Sequence, residues 1–232
     1  MTDHSKLPTL SDGVVVLRAP YPEDVAARLA LGNTPEIHHM FGADPASVRP
    51  LTEDAALAWV ETQMAAPFGW IIEVADRLIG AGRLHSVDRL DQRASVALGI
   101  LDPSELSKRY GTRALHLLVG YAFDVLHLHR VDLRVLDYNG RAIAAYQKVG
   151  FVVEGRQREA ARVGQSWHDD LMMGLLASEY GQGVSCPALC TWHLPGLRCA
   201  AVTQAPDRGD GSALARRPAA LFRATRPNGS LQ

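Results

Sequence analysis

The chain has 232 residues, 47% of them hydrophobic, and a formal net charge of −1 at pH 7, enough core for one large domain or a domain with an appendage. No run approaches the roughly 18 apolar residues of a membrane span. Met1 to Gly13 is a polar arm with a proline and no apolar signal region, which together predict a soluble cytoplasmic protein without a membrane partner.

Val14 to Leu17 reads as a short first strand, and Pro22-Glu-Asp-Val opens a helix with proline and acids in its first turn, where both are favoured. Gly32-Asn33 ends it. Thr34 to Pro50 mixes Pro35, His38, His39, Met40, Phe41 and Pro45 without a period. His38 and His39 are not expected to bind metal, because adjacent histidines point different ways on a helix and no third ligand lies at zinc spacing. Thr52-Glu-Asp then starts a helix carrying Leu57, Val60 and Met64.

Phe68 to Val74, Leu78 to Val87 and Arg93 to Leu101 read as three strands joined by polar turns at Asp76 and at Asp88 to Gln92, most simply an antiparallel meander. Pro103 forbids continuation of the third strand, because proline lacks the ladder donor. A polar loop, Ser104 to Tyr110, follows. From Gly111 the period changes, with Leu115, Leu118, Ala122, Val125 and Leu126 on one helical face. A helix start of this kind presents unpaired N–H groups and a positive dipole end, and Lys108, Arg109 and Arg113 add charge, so the loop is a candidate anion site. A solvated basic turn before an ordinary helix is the plainer reading of the same residues.

Val131, Leu133 and Val135 alternate with Asp132 and Arg134, the period of a strand with unlike faces. Asn139 is placed to cap a helix that closes at Gly150, and Tyr146 lies late in it, where a tyrosine is ordinarily a core residue. Glu154 to Glu159 and His168 to Leu176 are the last two strands, with a turn near Gly164.

After Tyr180 the character shifts. Residues 181–232 hold six arginines, two aspartates and no lysine or glutamate; the remainder of the 24 basic and 25 acidic residues leaves 18 and 23 in the body. Prolines, glycines and alanines with scattered arginines predict a low-order tail. Cys186, Cys190 and Cys199 lie there with His193, at spacings that match no usual zinc pattern and, being odd in number, no disulfide framework.

The spacing from Pro103 to Gly111, the phrase YAFDVLHLHRVDLRVL, and above all Asn139-Gly-Arg-Ala-Ile-Ala-Ala-Tyr146-Gln-Lys-Val-Gly150-Phe151 followed by EGRQRE resemble the GNAT superfamily of acyl-CoA N-acyltransferases. Within it the chain is similar to the ribosomal-protein α-amino acetyltransferases, from about Val14 to Tyr180. The resemblance implies an α/β fold in which a central twisted mixed sheet of about seven strands is flanked by helices, forming an acetyltransferase domain over 14–180. It implies acetyl-CoA as cosubstrate, a peptide or small-molecule amine as acceptor, and, in many members, a homodimer.

The family cradles the pyrophosphate of coenzyme A in the loop after the fourth strand, with a pattern whose three positions are here Leu106, Arg109 and Gly111; only the last fits. The implied cofactor-binding set is Leu101, Lys108, Arg109, Tyr110, Gly111, Thr112, Asn139 and Tyr146. Arg109 stands where relatives have glycine, so a residue with a Cβ occupies a left-handed position, although a guanidinium can bind phosphate bidentately. The resemblance makes the Leu101 backbone N–H the donor to the thioester carbonyl, Tyr146 the acid for the departing thiolate, and Asn139 a contact to the pantetheine arm. Relatives often carry a glutamate base where this chain has Ala97. The choice among Ser95, His85, Asp88 and Glu73 stays open. A weak base suits an α-amine of pKa near 8 better than a lysine near 10.4. The predicted function is therefore N-acetyl transfer to a peptide α-amine or small amine, an amine antibiotic included. A catalytically weak acyl-CoA-binding module and an adaptor acting on protein or nucleic acid through the basic tail are the alternatives.

Overall fold

The computed structural model describes residues 7–181. Residues 1–6 and the tail 182–232, with its three cysteines and His193, lie outside the described residues. The elements in chain order are β1 (Leu10–Ser11), β2 (Val15–Arg18), α1 (Asp24–Leu31), α2 (Pro35–Met40), α3 (Glu53–Ala65), β3 (Gly69–Val74), β4 (Arg77–Asp88), β5 (Arg93–Ile100), α4 (Tyr110–Gly120), β6 (Arg130–Leu136), α5 (Gly140–Val149), β7 (Val152–Val163) and β8 (Ser166–Leu176). The strands form one mixed sheet in the order β1-β2-β3-β4-β5-β6-β8-β7, and only the β5–β6 pair is parallel. The meander over β3, β4 and β5 is as expected. There are eight strands rather than about seven, because the polar arm contributes β1: Leu10 pairs with Leu17 and is 1% exposed.

Alternation along the strands serves two helical layers. Trp70 and Ile72 of β3 join Val15, Leu17 and the α4 residues Leu115, Leu117 and Leu118 in the main core. Ile71, between them, is equally buried but points to the other face, where α3 packs on β3 with Ala56 and Val60. Trp70 is fully buried, donates Nε1–H to the Pro8 carbonyl at 2.9 Å and meets Tyr121 edge-on at 5.2 Å. Truncating a side chain so placed costs about 3–5 kcal/mol.

Two local departures from the expected elements have physical causes. The helix after α4 does not run on as an α-helix to Leu126; Tyr121–Val125 is a π turn, with the Leu126 N–H on the Tyr121 carbonyl at 3.1 Å. The wider turn lets three consecutive residues, Tyr121, Ala122 and Phe123, bury together. Second, the aperiodic stretch after Asn33 contains α2 and a 3₁₀ turn, Pro45–Ser47; six residues burying only Ile37 are too few to show a period. No helix among the described residues is long and apolar enough to cross a membrane.

Candidate active site

Strands β5 and β6 pair only at Arg93/Arg130, Ala94/Val131 and Ser95/Asp132, and then diverge. Beyond Ser95, β5 becomes one wall of a cleft and β6 the other, with a volume of about 1030 Å³. That is at the upper end of the ~300–1,000 Å³ of single small-molecule sites, so two ligands fit end to end.

The Leu101 N–H, expected to face this cleft, instead donates to the Ile79 carbonyl across the sheet at 2.7 Å. Antiparallel strands alternate the direction of their backbone groups, and the β4–β5 register is unbroken from Gly80/Ile100 to His85/Ser95. The residues whose N–H groups turn toward the splay are therefore Leu98 and Ile100. Gly99 lies between them, and a Cβ there would come within 2.5 Å of the Phe41 ring, so glycine lets Phe41 lie directly on β5.

At one end of the cleft α4 begins. Asp102 caps the preceding 3₁₀ turn Pro103–Glu105 by accepting from the Ser104 N–H at 2.9 Å. The first helical N–H with an intrahelical partner is that of Arg113, on the Arg109 carbonyl at 3.0 Å. The N–H groups of Tyr110, Gly111 and Thr112 are left without one at the cleft wall. Arg109, at the N-cap, has φ 68° and ψ 6°, the left-handed conformation that the family fills with glycine. Of the three cations expected here, Lys108 is held by Glu105 at 2.9 Å and Arg113 by Asp12 at 2.7 Å. Arg109 lines the cleft and has no acidic partner among the described residues. Backbone N–H groups, a helix dipole and a free guanidinium fit a pyrophosphate.

On the opposite wall, α5 carries Tyr146, which lines the cleft and meets Phe151 edge-on at 6.1 Å. Desolvation pushes its phenol up to about 12. Asn139 caps α5 as expected, accepting from the Ala142 N–H at 3.2 Å, and its Nδ2 donates to the Met40 carbonyl at 3.2 Å. Each end of this amide thus has one partner within the protein, and the residue lines the cleft.

The candidate bases separate cleanly. Glu73 is held by Arg18 at 2.7 Å, with Asp24 on the same guanidinium at 2.6 Å. Asp88 accepts from the Leu90 and Asp91 N–H groups in the β4–β5 turn, which draws its carboxyl below the usual range. His85 and Ser95 line the cleft. They are directly paired across β4 and β5, and Ser95 is paired with Asp132 across β5 and β6, so the three side chains form one row on one face. Ser95 Oγ donates to Asp132 Oδ1 at 2.6 Å. Burial, and then the charge of Arg83, lower the His85 pKa, against a raising influence of Asp132. Asp132 was visible in the sequence only as the polar member of an alternating strand; its place beside Ser95 depends on a pairing 37 residues apart. His38 and His39 do diverge: His38 Nε2 lies 3.0 Å from Asn33 Oδ1, and His39 stacks on Tyr138 at 4.6 Å. No group of three or more metal-ligating side chains occurs among the described residues.

Comparison with known proteins gives this geometry a family. The chain is 31% identical over 109 residues to "Probable N-acetyltransferase YjcK" of Bacillus subtilis, covering 47% of this chain and 60% of that protein. It is 28% identical over 112 residues to spermidine N(1)-acetyltransferase of Vibrio cholerae, covering 48% and 64%. The chain thus spans less than two thirds of the length of these curated relatives. Among solved structures, spermidine N-acetyltransferase from Vibrio cholerae in complex with CoA and spermine superimposes with a TM-score of 0.60 at 24% identity, covering 72% of this chain and 97% of that one. Mycobacterium smegmatis RimJ in complex with CoA-disulfide gives 0.61 at 21%, covering 75% and 88%. The sequence pattern of the acetyltransferase (GNAT) domain matches residues 15–152, more than half of the chain, and the protein belongs to the GNAT acetyltransferase family.

Proposed function

We propose that this protein transfers the acetyl group of acetyl-CoA to a primary amine by direct attack. The observation that carries the proposal is the convergence on one cleft of the α4 N-terminal N–H groups, the β5 edge beyond Ser95 and the Tyr146 phenol. In this reading the N–H groups of Tyr110, Gly111 and Thr112, with the Arg109 guanidinium, hold the pyrophosphate. The pantetheine arm runs along β5, and the N–H of Leu98 or Ile100 takes the role first expected of Leu101, polarising the thioester carbonyl.

The amine nitrogen attacks that carbonyl, the carbon–sulfur bond breaks, and the thiolate takes the proton of Tyr146. A phenol raised to about 12 stays protonated until it is needed. The proton leaving the amine passes to His85, directly or through water. A lowered pKa keeps His85 neutral at physiological pH, and the Ser95–Asp132 pair beside it favours the imidazolium that forms. The sequence likeness to spermidine N(1)-acetyltransferase and to "Putative ribosomal N-acetyltransferase YdaF" of Bacillus subtilis supports an amine acceptor, either a small molecule or a protein or peptide amine.

The test is thiol release from acetyl-CoA across N-terminal peptides, polyamines and aminoglycosides, by the protein and by Tyr146→Phe. Turnover with one amine class, reduced at least tenfold in the variant while acetyl-CoA still binds, is the expected result. Binding of acetyl-CoA without turnover on any amine replaces this reading with that of an acyl-CoA-binding module.

A further inference from the structure

We propose that Arg28 and Arg83 form an anion subsite in the acceptor half of the cleft, so that the amine acetylated here carries a carboxylate or a phosphate. This rests on the transferase reading for its chemistry and on the following geometry for its specificity.

Arg28, in the last turn of α1, is 4% exposed and lines the cleft. Its Nη1 donates to the Gly32 carbonyl at 2.7 Å and its Nη2 to Asn33 Oδ1 at 3.0 Å, while Nε is buried with no acceptor. The guanidinium lies over the Trp59 ring, 5.4 Å from its centroid. No carboxylate among the described residues pairs with it. A role in closing the end of α1 accounts for two of its donors but not for the burial of an uncompensated charge, which is costly unless something anionic arrives. Arg83 is on β4, across from Ala97 and two residues from His85 on the same face. It too lines the cleft without an acidic partner among the described residues.

Of the acids of the same cleft, Asp170 faces Arg134 at 3.2 Å and Glu105 holds Arg77 and Lys108. Asp132 accepts from Ser95, and Arg130, 3.8 Å away, is bonded to Glu154 through both its terminal nitrogens. The acceptor half thus sets one carboxylate, Asp132, against the guanidinia of Arg28 and Arg83, and its excess charge is positive. Burial and then Arg28 lower the His38 pKa, and burial and then Arg83 lower that of His85, there against Asp132. A polycation is repelled from such a site, whereas an amine with an anionic group bonds a guanidinium bidentately.

Matched acceptors test this. Ala-Ala is compared with Ala-Ala-amide for a carboxylate, and phosphoethanolamine with ethanolamine for a phosphate, with spermidine as the polycation. Each is followed by kcat/KM, corrected for the fraction of neutral amine, and by calorimetric Kd in the presence of CoA. At least a tenfold preference for one anionic member in both readouts is expected, with spermidine poorest; the pair that shows it identifies the anion. Arg83→Met and Arg28→Met should each bring the anionic-to-neutral ratio toward one, and Arg83, on a strand surface, supplies the test if Arg28→Met does not fold. A structural role alone lowers both members equally and leaves the ratio unchanged, which overturns the proposal. So do equal Kd values in the unaltered protein. A Kd preference without turnover retains the subsite and removes the transferase reading; turnover without preference does the reverse.

Discussion

Arg109 shows how one residue sets two opposed demands. Its left-handed backbone costs a non-glycine residue about 1–2 kcal/mol, while its side chain is the free cation at the α4 N-terminus. Arg109→Gly should therefore raise Tm by about 2–4 °C, as relief of about 1 kcal/mol does in a domain of this size, and at the same time weaken acetyl-CoA binding at least threefold. Calorimetric melting and an acetyl-CoA titration of one variant read both; binding that is unchanged or tighter rules out the side-chain role. The pH profile is a second residue-scale consequence. In the proposed transfer His85 must be neutral to accept a proton, and burial and Arg83 lower its pKa from the ordinary 6.5, so loss of activity belongs on the acidic side. Tyr146 must be protonated, and at about 12 it gives no descending limb in the working range. After correction for amine ionisation, kcat/KM should rise through a value below 6.5 and stay level from about pH 7.5 to 10. His85→Ala should erase the acidic limb, and a fall at pH 8–9 that disappears in Tyr146→Phe would contradict the assignment.

The α5 entrance is the element most dependent on one side chain. Asn139 caps α5 and reaches the Met40 carbonyl, while the neighbouring Tyr138 hydroxyl donates to the His39 carbonyl at 2.7 Å, so the β6–α5 turn is pinned to α2 from both residues. Asn139→Ala should cost about 1–2 kcal/mol, most of it as loss of the cap, and lower Tm by several degrees. Acetyl-CoA affinity should change by less than about threefold; a tenfold loss with little change in Tm would restore the pantetheine contact that the family resemblance implies. Cap and closure were legible in the sequence, because Asn139 and Gly150 act on their immediate neighbours, Gly150 at φ 112°. The π turn at Tyr121–Val125 was not. Over five residues an apolar face does not distinguish 3.6 residues per turn from a wider coil, and the choice falls to the partners: Trp70 and Phe68 against Tyr121, and Tyr180 against Phe123.

At the scale of the molecule, the meander, the following strand–helix–strand–helix unit and the final hairpin were legible because each joins neighbours in the chain, with turn residues and periodicities that agree. Tyr146, Gly111 and the left-handed position of Arg109 were legible through the resemblance, which is carried by contiguous motifs. What the sequence alone determined is thus the order of elements, the family and the polar loop before α4, since these rest on local propensity and short-range spacing. Only the tertiary structure decided where β5 and β6 part, that the N–H groups of Leu98 and Ile100 rather than that of Leu101 turn to the gap, that Asp132 completes a row with Ser95 and His85, and that Arg28 and Arg83 have no acidic partner among the described residues. Each of those is a matter of register or burial between segments distant in sequence, and one residue of slip in a strand exchanges its two faces.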